Sequence, residues 1–258
     1  MDADGNRNAL CFNRNGDKRN LSDSYSCRKG KGTHRAMNRF RSFAYKASAN
    51  HTRTCWVLKC DIKKFFASID QRILLGIVAC YIPDGHTNAL LAEIVGSFHS
   101  TGQGKGLPLG NLTSQLLVNV YMNEFDQFVK HKLKAKYYVR YADDFVIMNT
   151  DRTWLEILIP RIARFLDERL ALSLHPDKLF IRTLASGVDF LGWVHFTDHR
   201  VLRTVTKRRM LRNIIGKEED DPCVRSYLGL LKHGNAQMLH KIAMAKLAFG
   251  GKRSSAGS

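Results

Sequence analysis

The alternation of apolar and polar residues along the chain predicts short strands interspersed with longer helices. Residues 1–22 have no such period and are rich in Asn, Asp, Gly and Arg, which predicts an irregular N-terminus. Apolar residues recur every three or four positions over 33–47, which predicts a basic helix. WVLKCDIKKFF (56–66) is typical of a strand that enters a turn, and ILLGIVACYI (73–82) of a buried helix that ends before Pro83 and Gly85. The apolar face of the first helix consists of Ala36, Phe40, Phe43 and Ala47.

A glycine-rich loop, a long helix and a hairpin are predicted in the middle of the chain. TGQGKGLPLGN (101–111) supplies the loop, and LTSQLLVNVYMNEFDQFVKHKL (112–133) predicts one amphipathic helix. KYYVRYADDFVIM (136–148) is typical of two short strands joined by a tight turn. The apolar positions that indicate the long helix are Leu116, Val120, Phe125 and Phe128.

The remaining pattern completes a mixed architecture. Residues 152–170 predict a helix, 172–182 a turn into a strand, and 188–196 a further strand pair. From about residue 205 the pattern is helical and basic. Short strands among helices predict an α+β fold, in which a small sheet is backed by helices.

The charge of the chain indicates a polyanionic partner. Its 258 residues include 41 Lys and Arg against 23 Asp and Glu, a formal net charge of +18. Residues 24–60 contain basic but no acidic residues, and a second basic cluster lies at 207–212. Such clusters attract phosphate backbones, although a basic stretch can also be merely a solvated face. Two clusters favour nucleic acid as the partner.

No membrane segment and no zinc motif are predicted. The longest apolar run, 73–82, is too short to span a bilayer, and the polar N-terminus lacks the apolar core of a signal peptide. The cysteines form no C-x-x-C pair. We therefore expect a soluble, cytoplasmic protein without a membrane partner.

Three aspartates are candidates for metal chemistry. Asp143 and Asp144 lie next to each other in an apolar hairpin, where like charges need a compensating cation. Mg²⁺ binds such carboxylates and completes its octahedron with water and phosphate oxygens. Asp61, at the end of an apolar strand, would add a third carboxylate and allow a two-metal site. The alternatives are a solvated turn for the Asp-Asp pair and a helix N-cap for Asp61.

The YADD stretch resembles the catalytic motif of reverse transcriptases. Further segments resemble the companion motifs of these enzymes, in the same order, along nearly the whole chain from residue 24 onward. These segments are SYSCRKGKGTHRA (24–36), LKCDIKKFFASID (58–70), GKGLPLGNLTSQLLVNVYMNEFD (104–126), LHPDK (174–178) and FLGW (190–193).

The resemblance implies a right-hand polymerase fold. Its palm would contain a ferredoxin-like sheet backed by helices, and its thumb would be short and helical. Fewer finger segments precede the first motif than in these enzymes, so the fingers are expected to be incomplete. The implied domains are an irregular N-terminus over 1–22, partial fingers and palm over 23–200, and a thumb over 201–258.

The resemblance also implies roles for individual residues. Asp61 and Asp143 would bind two Mg²⁺ ions, or Mn²⁺ in their place, with Asp144 supporting the cluster. Phe66 matches the steric gate against a ribonucleotide 2′-hydroxyl, although without the motif a core aromatic would be the preferred interpretation. Contacts with nucleotide or template are implied for Arg28, Lys31, Gly110, Ser114, Gln115 and Lys178.

Two of the implied roles compete with plainer interpretations. Lys178 matches a proton donor to pyrophosphate, but a surface lysine after a proline turn is the alternative. Gly192 and Trp193 resemble the primer-grip region, and Trp193 is otherwise a core residue.

One sequence variation indicates a subgroup of the reverse transcriptases. Group II intron reverse transcriptases usually carry a QGxxxSP pattern, whereas LGNLTSQ (109–115) is similar to the enzymes of bacterial diversity-generating retroelements. Those enzymes copy a template RNA with errors at adenines, and the segment that includes Gln115 is implicated in their fidelity. The implied partners are an RNA template, a DNA or RNA primer, dNTPs and a small basic accessory protein.

Three alternatives remain open at this point. The chain could be a catalytically impaired, nucleic-acid-binding remnant of such a polymerase. It could be a group II intron-like or other bacterial reverse transcriptase. A nuclease or another two-metal phosphotransferase would share the carboxylate chemistry but not the ordered motifs.

Overall fold

A computed structural model describes residues 23–100 and 102–251, and it contains two compact units. The first unit ends at Arg182 and the second begins at Thr183. From α1 to β4 the elements are α1 (Thr33–Ala47), β1 (Trp56–Asp61), α2 (Phe65–Ser68), α3 (Gln71–Tyr81), α4 (Gly85–Gly96), α5 (Leu112–Gln127), β2 (Tyr137–Tyr141), β3 (Asp144–Asn149), α6 (Arg152–Leu170) and β4 (Phe180–Thr183). A π-helical turn, Phe128–Lys132, extends α5, and a 3₁₀ turn, Pro176–Lys178, precedes β4.

A four-stranded sheet forms the centre of the first unit. Its strand order is β2-β3-β1-β4, and β3 is antiparallel to both of its neighbours. In this register Asp144 lies opposite Asp61 on one side and Tyr141 on the other. Side chains of directly opposed residues project from the same face of a sheet. Lys59 and Asp61, two residues apart in β1, therefore share a face with Asp144.

The other face of the sheet is covered by helices. Phe125 of α5 packs edge-on against Phe145 of β3, with ring centroids 4.9 Å apart. Phe128, just after α5, stacks on Phe165 of α6 at 4.1 Å. Phe125, Phe145 and Ile147 of this layer are fully buried. The mixed architecture with antiparallel sheets confirms the predicted α+β class.

The prediction of which side chains of α5 face the core is wrong at its N-terminal end. Leu116 was expected on the apolar stripe, but 62% of its surface is exposed, whereas Leu117 and Val118 are buried. Most residues of α5 are buried, because the helix packs against the sheet and against neighbouring helices. Because polar residues such as Asn119 and Asn123 are buried along with apolar ones, the sequence of this helix does not reveal which leucine faces the core.

The other predicted elements are found close to their expected bounds. The 33–47 helix is α1, and its four apolar positions are buried. The strands at 56–66 and 136–148 and the helix at 152–170 are also confirmed. One helix, α4, was not predicted, because Pro83 and Gly85 indicated a stop; Asp84 instead caps it by accepting a hydrogen bond from the Thr87 N–H at 2.7 Å. The irregular segment predicted over 1–22 lies outside the described residues.

The second unit consists of a small sheet and helices. The antiparallel strands β5 (Val188–Phe190), β6 (Trp193–His195) and β7 (Arg200–Leu202) form the sheet, and a 3₁₀ turn, Leu184–Ser186, precedes it. They share this unit with α7 (Thr204–Asn213), α8 (Pro222–Leu231) and α9 (Gln237–Gly251). The expected division of palm and thumb at 200/201 stays a prediction. Within the described ranges, no helix is both long and apolar enough to cross a bilayer.

Gly234 and Trp193 allow a test of packing in the second unit. Trp193 is fully buried, and a Cβ atom added at Gly234 would overlap its indole ring. We therefore expect Gly234→Ala to lower the free energy of unfolding by about 1–3 kcal/mol, the usual cost of overpacking. Urea unfolding followed by tryptophan fluorescence measures the change.

Gly229→Ala is the matched control for this substitution. Gly229 lies in α8, and an added Cβ would meet no atom within 4 Å. Alanine there is expected to raise the free energy of unfolding by about 0.5–1 kcal/mol. Equal stability of the two variants would contradict the packing described around Trp193.

Candidate active site

The three predicted carboxylates meet at one end of the central sheet. Asp61 is the last residue of β1 and Asp144 the first of β3, and the two are directly opposed. Asp143 occupies the two-residue turn before β3, and its carbonyl accepts a hydrogen bond from the Ile62 N–H at 3.2 Å. Backbone pairing therefore brings together aspartates that are 82 positions apart along the chain (143 − 61).

Two lysines offset part of this negative charge. Lys59 Nζ lies 3.0 Å from Asp144 Oδ2, and Lys178 Nζ lies 3.0 Å from Asp61 Oδ1. Burial raises the pKa of Asp144 to about 7, although Lys59 opposes the shift. Burial also raises the pKa of Asp143, and the nearby charge of Asp61 adds to this effect. The carboxylates therefore lack full compensation from the protein.

The donor atoms of this cluster fit a divalent cation. Carboxylate oxygens are the hard ligands that Mg²⁺ prefers, and Asp144 Oδ1 is buried with no hydrogen-bond partner. Among the residues that the structure describes, no group of three or more His, Cys, Asp or Glu side chains is arranged to hold a metal ion. Mg²⁺ in proteins typically takes one or two carboxylates and fills its other positions with water and phosphate oxygens.

The structure places Lys178 at the cluster and adds a residue that sequence reasoning missed. The segment before the 3₁₀ turn lies along the end of β1, because the His175 N–H donates to the Asp61 carbonyl at 2.8 Å. Lys178 remains 53% exposed while it contacts Asp61. Lys59 was not predicted, although its position two residues before Asp61 in a strand was a usable signal.

The loop that carries Arg28 and Lys31 is bonded to the edge of the same sheet. The Tyr25 N–H donates to the Arg140 carbonyl of β2 at 3.0 Å. Lys31 Nζ lies 4.6 Å from the centre of the Tyr25 ring, and its pKa is lowered by burial and by the charge of Arg28. The loop that carries both basic residues is therefore joined to the strand that leads into the turn at Ala142 and Asp143.

Thr33 is a second contact that the sequence did not indicate. Its hydroxyl donates to the Tyr141 hydroxyl at 3.3 Å. Tyr141 is the first residue of the YADD stretch and Thr33 the first residue of α1. The start of the basic helix is thereby joined to the hairpin.

The other predicted nucleotide contacts differ in their exposure. Phe66 is half-buried against Phe65, and its carbonyl accepts a hydrogen bond from the Leu107 N–H at 2.9 Å. Gly110 has a φ of 82° and open space where a Cβ would project. Ser114 is buried and Gln115 half-buried in the first turns of α5. The roles expected for these four residues stay predictions.

The two residues of the expected primer grip lie in the second unit. Gly192 has a φ of 82° in the tight turn between β5 and β6. Trp193 is fully buried, and the Arg200 guanidinium lies 5.8 Å from the centre of its ring. Trp193 is thus a core residue of this unit, and a contact of this segment with a primer stays a prediction.

Comparisons with known proteins agree with the geometry. The sequence model of the family described as reverse transcriptase (RNA-dependent DNA polymerase) matches residues 11–195. Protein YkfC of Escherichia coli K12 is 26% identical over 217 residues, which cover 70% of this chain and 55% of that protein. The group II intron-encoded protein LtrA of Lactococcus lactis is 25% identical over 226 residues, which cover 60% of this chain and 36% of LtrA.

A solved structure has the same fold at low sequence identity. Apo telomerase from Candida tropicalis, truncated from its C-terminal domain, superposes with a TM-score of 0.57 at 13% identity. The match covers 76% of this chain and 43% of that one. The described chain therefore has the fold of a right-hand polymerase, and it spans about half or less of the length of these relatives.

The raised pKa of Asp144 predicts how pH affects stability. The folded protein holds a proton on Asp144 up to about pH 7, whereas the unfolded chain releases it near the ordinary value of 3.8. The wild type should therefore lose stability relative to Asp144→Asn as the pH rises from about 4 to about 7. Urea unfolding in EDTA at several pH values measures this difference.

Asp167→Asn serves as the control for this experiment. Asp167 is an exposed carboxylate of α6, so its removal should leave the pH dependence of the wild type unchanged. Parallel pH profiles for the wild type and Asp144→Asn would show that Asp144 is not buried as described.

Proposed function

Because this chain belongs to the reverse transcriptase family, we propose that it catalyses RNA-templated DNA synthesis by nucleotidyl transfer. The meeting of Asp61, Asp143 and Asp144 at one end of the central sheet carries the proposal. In this reaction the primer 3′-hydroxyl attacks the α-phosphate of a dNTP and pyrophosphate leaves.

Asp61 and Asp143 would hold the metal ions in this reaction. Two Mg²⁺ ions, or Mn²⁺ in their place, supply activation of the primer hydroxyl and stabilisation of the departing pyrophosphate when bound. Asp144, held by Lys59 at 3.0 Å, keeps a third carboxylate beside the two ligands. The lysine contact restricts Asp144 to one orientation, which suits a supporting role.

Cationic side chains would bind the triphosphate, and one of them would protonate the leaving pyrophosphate. Arg28 can bind phosphate oxygens through two parallel N–H groups, and Lys31 acts as a point charge. Lys178 is exposed and yet lies 3.0 Å from Asp61, so its ammonium group can reach a phosphate held at the carboxylates. We assign to Lys178 the transfer of a proton to the leaving pyrophosphate.

Phe66 would select deoxyribonucleotides. It follows Asp61 by five residues and is the second residue of α2, with part of its surface exposed. An aromatic ring at this point would clash with a ribonucleotide 2′-hydroxyl.

The substrates in this proposal are an RNA template and a DNA or RNA primer. The formal net charge of +18 suits a polyanionic duplex. Within the family, LGNLTSQ supports a diversity-generating retroelement enzyme with adenine-directed errors and a small basic accessory protein as partner. The named relative LtrA is instead a group II intron-encoded protein, so the error spectrum is the property that separates the two subgroups.

Primer extension tests the proposed activity. With Mg²⁺, dNTPs and a DNA primer annealed to RNA, the wild type should extend the primer, and Asp143→Ala should reduce extension to background because a metal ligand is lost. Asp167→Ala removes an exposed carboxylate of α6 and should extend like the wild type. Equal extension by Asp143→Ala and the wild type would refute the assignment.

Sequencing of the cDNA tests the subgroup. A diversity-generating enzyme should misincorporate more often opposite template adenines than opposite the other three bases. Gln115→Ala should change the adenine error rate several-fold, because Gln115 is half-exposed in the first turns of α5, within the LGNLTSQ segment. Val205→Ala, a change at an exposed residue of α7, provides the control. A uniform error rate at all four template bases would exclude the retroelement subgroup.

A further inference from the structure

A buried arginine lies beneath the catalytic turn. Arg140 is fully buried in β2, and it projects from the face opposite to Tyr141, because neighbouring residues of a strand alternate. Tyr141 is directly opposed to Asp144 and therefore shares the face of the carboxylates. Arg140 thus lies on the side of the sheet that α5 covers, and it does not share the face of the carboxylates.

The guanidinium of Arg140 is held by one carboxylate. Nε and Nη2 of Arg140 donate to Oδ1 and Oδ2 of Asp126 at 2.8 and 2.6 Å, a bidentate pair with both partners buried. The Tyr138 hydroxyl donates to the same Asp126 Oδ1 at 2.6 Å. Asp126 lies near the end of α5, just before the π-helical turn that extends this helix.

The remaining arm of the guanidinium reaches the turn. Arg140 Nη1 donates to the carbonyl of Ala142 at 3.0 Å. Ala142 has a φ of 54°, which a residue with a Cβ rarely adopts and which requires support from surrounding contacts. The residue directly after Ala142 is Asp143, so the plane fixed by this hydrogen bond is the peptide that leads into the catalytic pair.

We propose that Arg140, oriented by Asp126, is a positioning residue that fixes the turn carrying Asp143 and Asp144 by donating to the Ala142 carbonyl. Its effect on DNA synthesis rests on the proposed function, whereas its effect on the turn does not. Asp126 and Arg140 would then connect α5 rigidly to the turn at the end of the sheet.

Two variants separate positioning from general packing. Arg140→Lys keeps a positive charge beside Asp126 but has no planar fork to hold both Asp126 and the Ala142 carbonyl. Tyr138→Phe removes a hydrogen bond to Asp126 from the same buried cluster and keeps the Arg140 hydrogen bonds to Asp126 and to the Ala142 carbonyl. Both substitutions should lower the melting temperature, but only Arg140→Lys should release the turn.

Hydrogen exchange of the metal-free protein gives the direct measurement. In a peptide spanning 139–146, the backbone amides of Arg140→Lys should exchange at least about tenfold faster than those of Tyr138→Phe. This is the factor expected for one lost charge-assisted hydrogen bond. Equal exchange in the two variants would overturn the proposal. If Arg140→Lys does not fold, Asp126→Asn, which keeps the size but removes the charge that orients the guanidinium, is compared with Tyr138→Phe by the same criterion.

Kinetics provide the second measurement. In Arg140→Lys, misplaced carboxylates should lower kcat at least about tenfold relative to the wild type. The KM for dNTP should change less than about twofold, because the triphosphate contacts are assigned to other residues. A kcat for Arg140→Lys equal to that of Tyr138→Phe would overturn the catalytic part of the proposal. If the wild type makes no DNA, the proposed function fails, and hydrogen exchange alone decides the role of Arg140.

Discussion

Repulsion among three carboxylates is the constraint on which the arrangement of the first unit depends. Asp61, Asp143 and Asp144 lie together at the end of a sheet whose interior is apolar. Among the residues that the structure describes, Lys59 pairs with Asp144 and Lys178 with Asp61. When all three are ionised, two cations against three anions leave a local excess of negative charge in a chain of formal charge +18. In the proposed function, this excess would hold divalent cations at a single point of a chain whose net charge favours binding of phosphate.

The two faces of the hairpin carry different groups. Asp144 lies on one face, whereas the opposite face carries Phe145 and Arg140, which pairs with Asp126 of α5. A buried ion pair is weak evidence for stability, since well-packed apolar residues often do as well. Removal of one partner is nonetheless costly, about 3–5 kcal/mol, because the other charge is then left unpaired. Such a pair therefore favours one arrangement of the turn over its alternatives.

Much of the fold follows from local sequence. The apolar period over 33–47, the hairpin over 136–148 and the helix over 152–170 were predictable, since each depends on residues only a few positions apart. The unpredicted helix α4 has a single buried side chain, Val95, so its apolar period was weak. The exposure of Leu116 was equally hidden, because the surfaces that α5 contacts are distant in sequence.

The sequence by itself determined which chemistry this protein carries: Asp61, the Asp-Asp pair and the order of the motifs around them are local features. Only the tertiary structure decided how those groups are held. The pairing of Asp144 with Lys59 and that of Arg140 with Asp126 and the Ala142 carbonyl each depend on strand register or on the packing of α5. Residue types and their spacing specify local conformation, whereas contacts between distant segments arise only when the chain has buried its apolar faces.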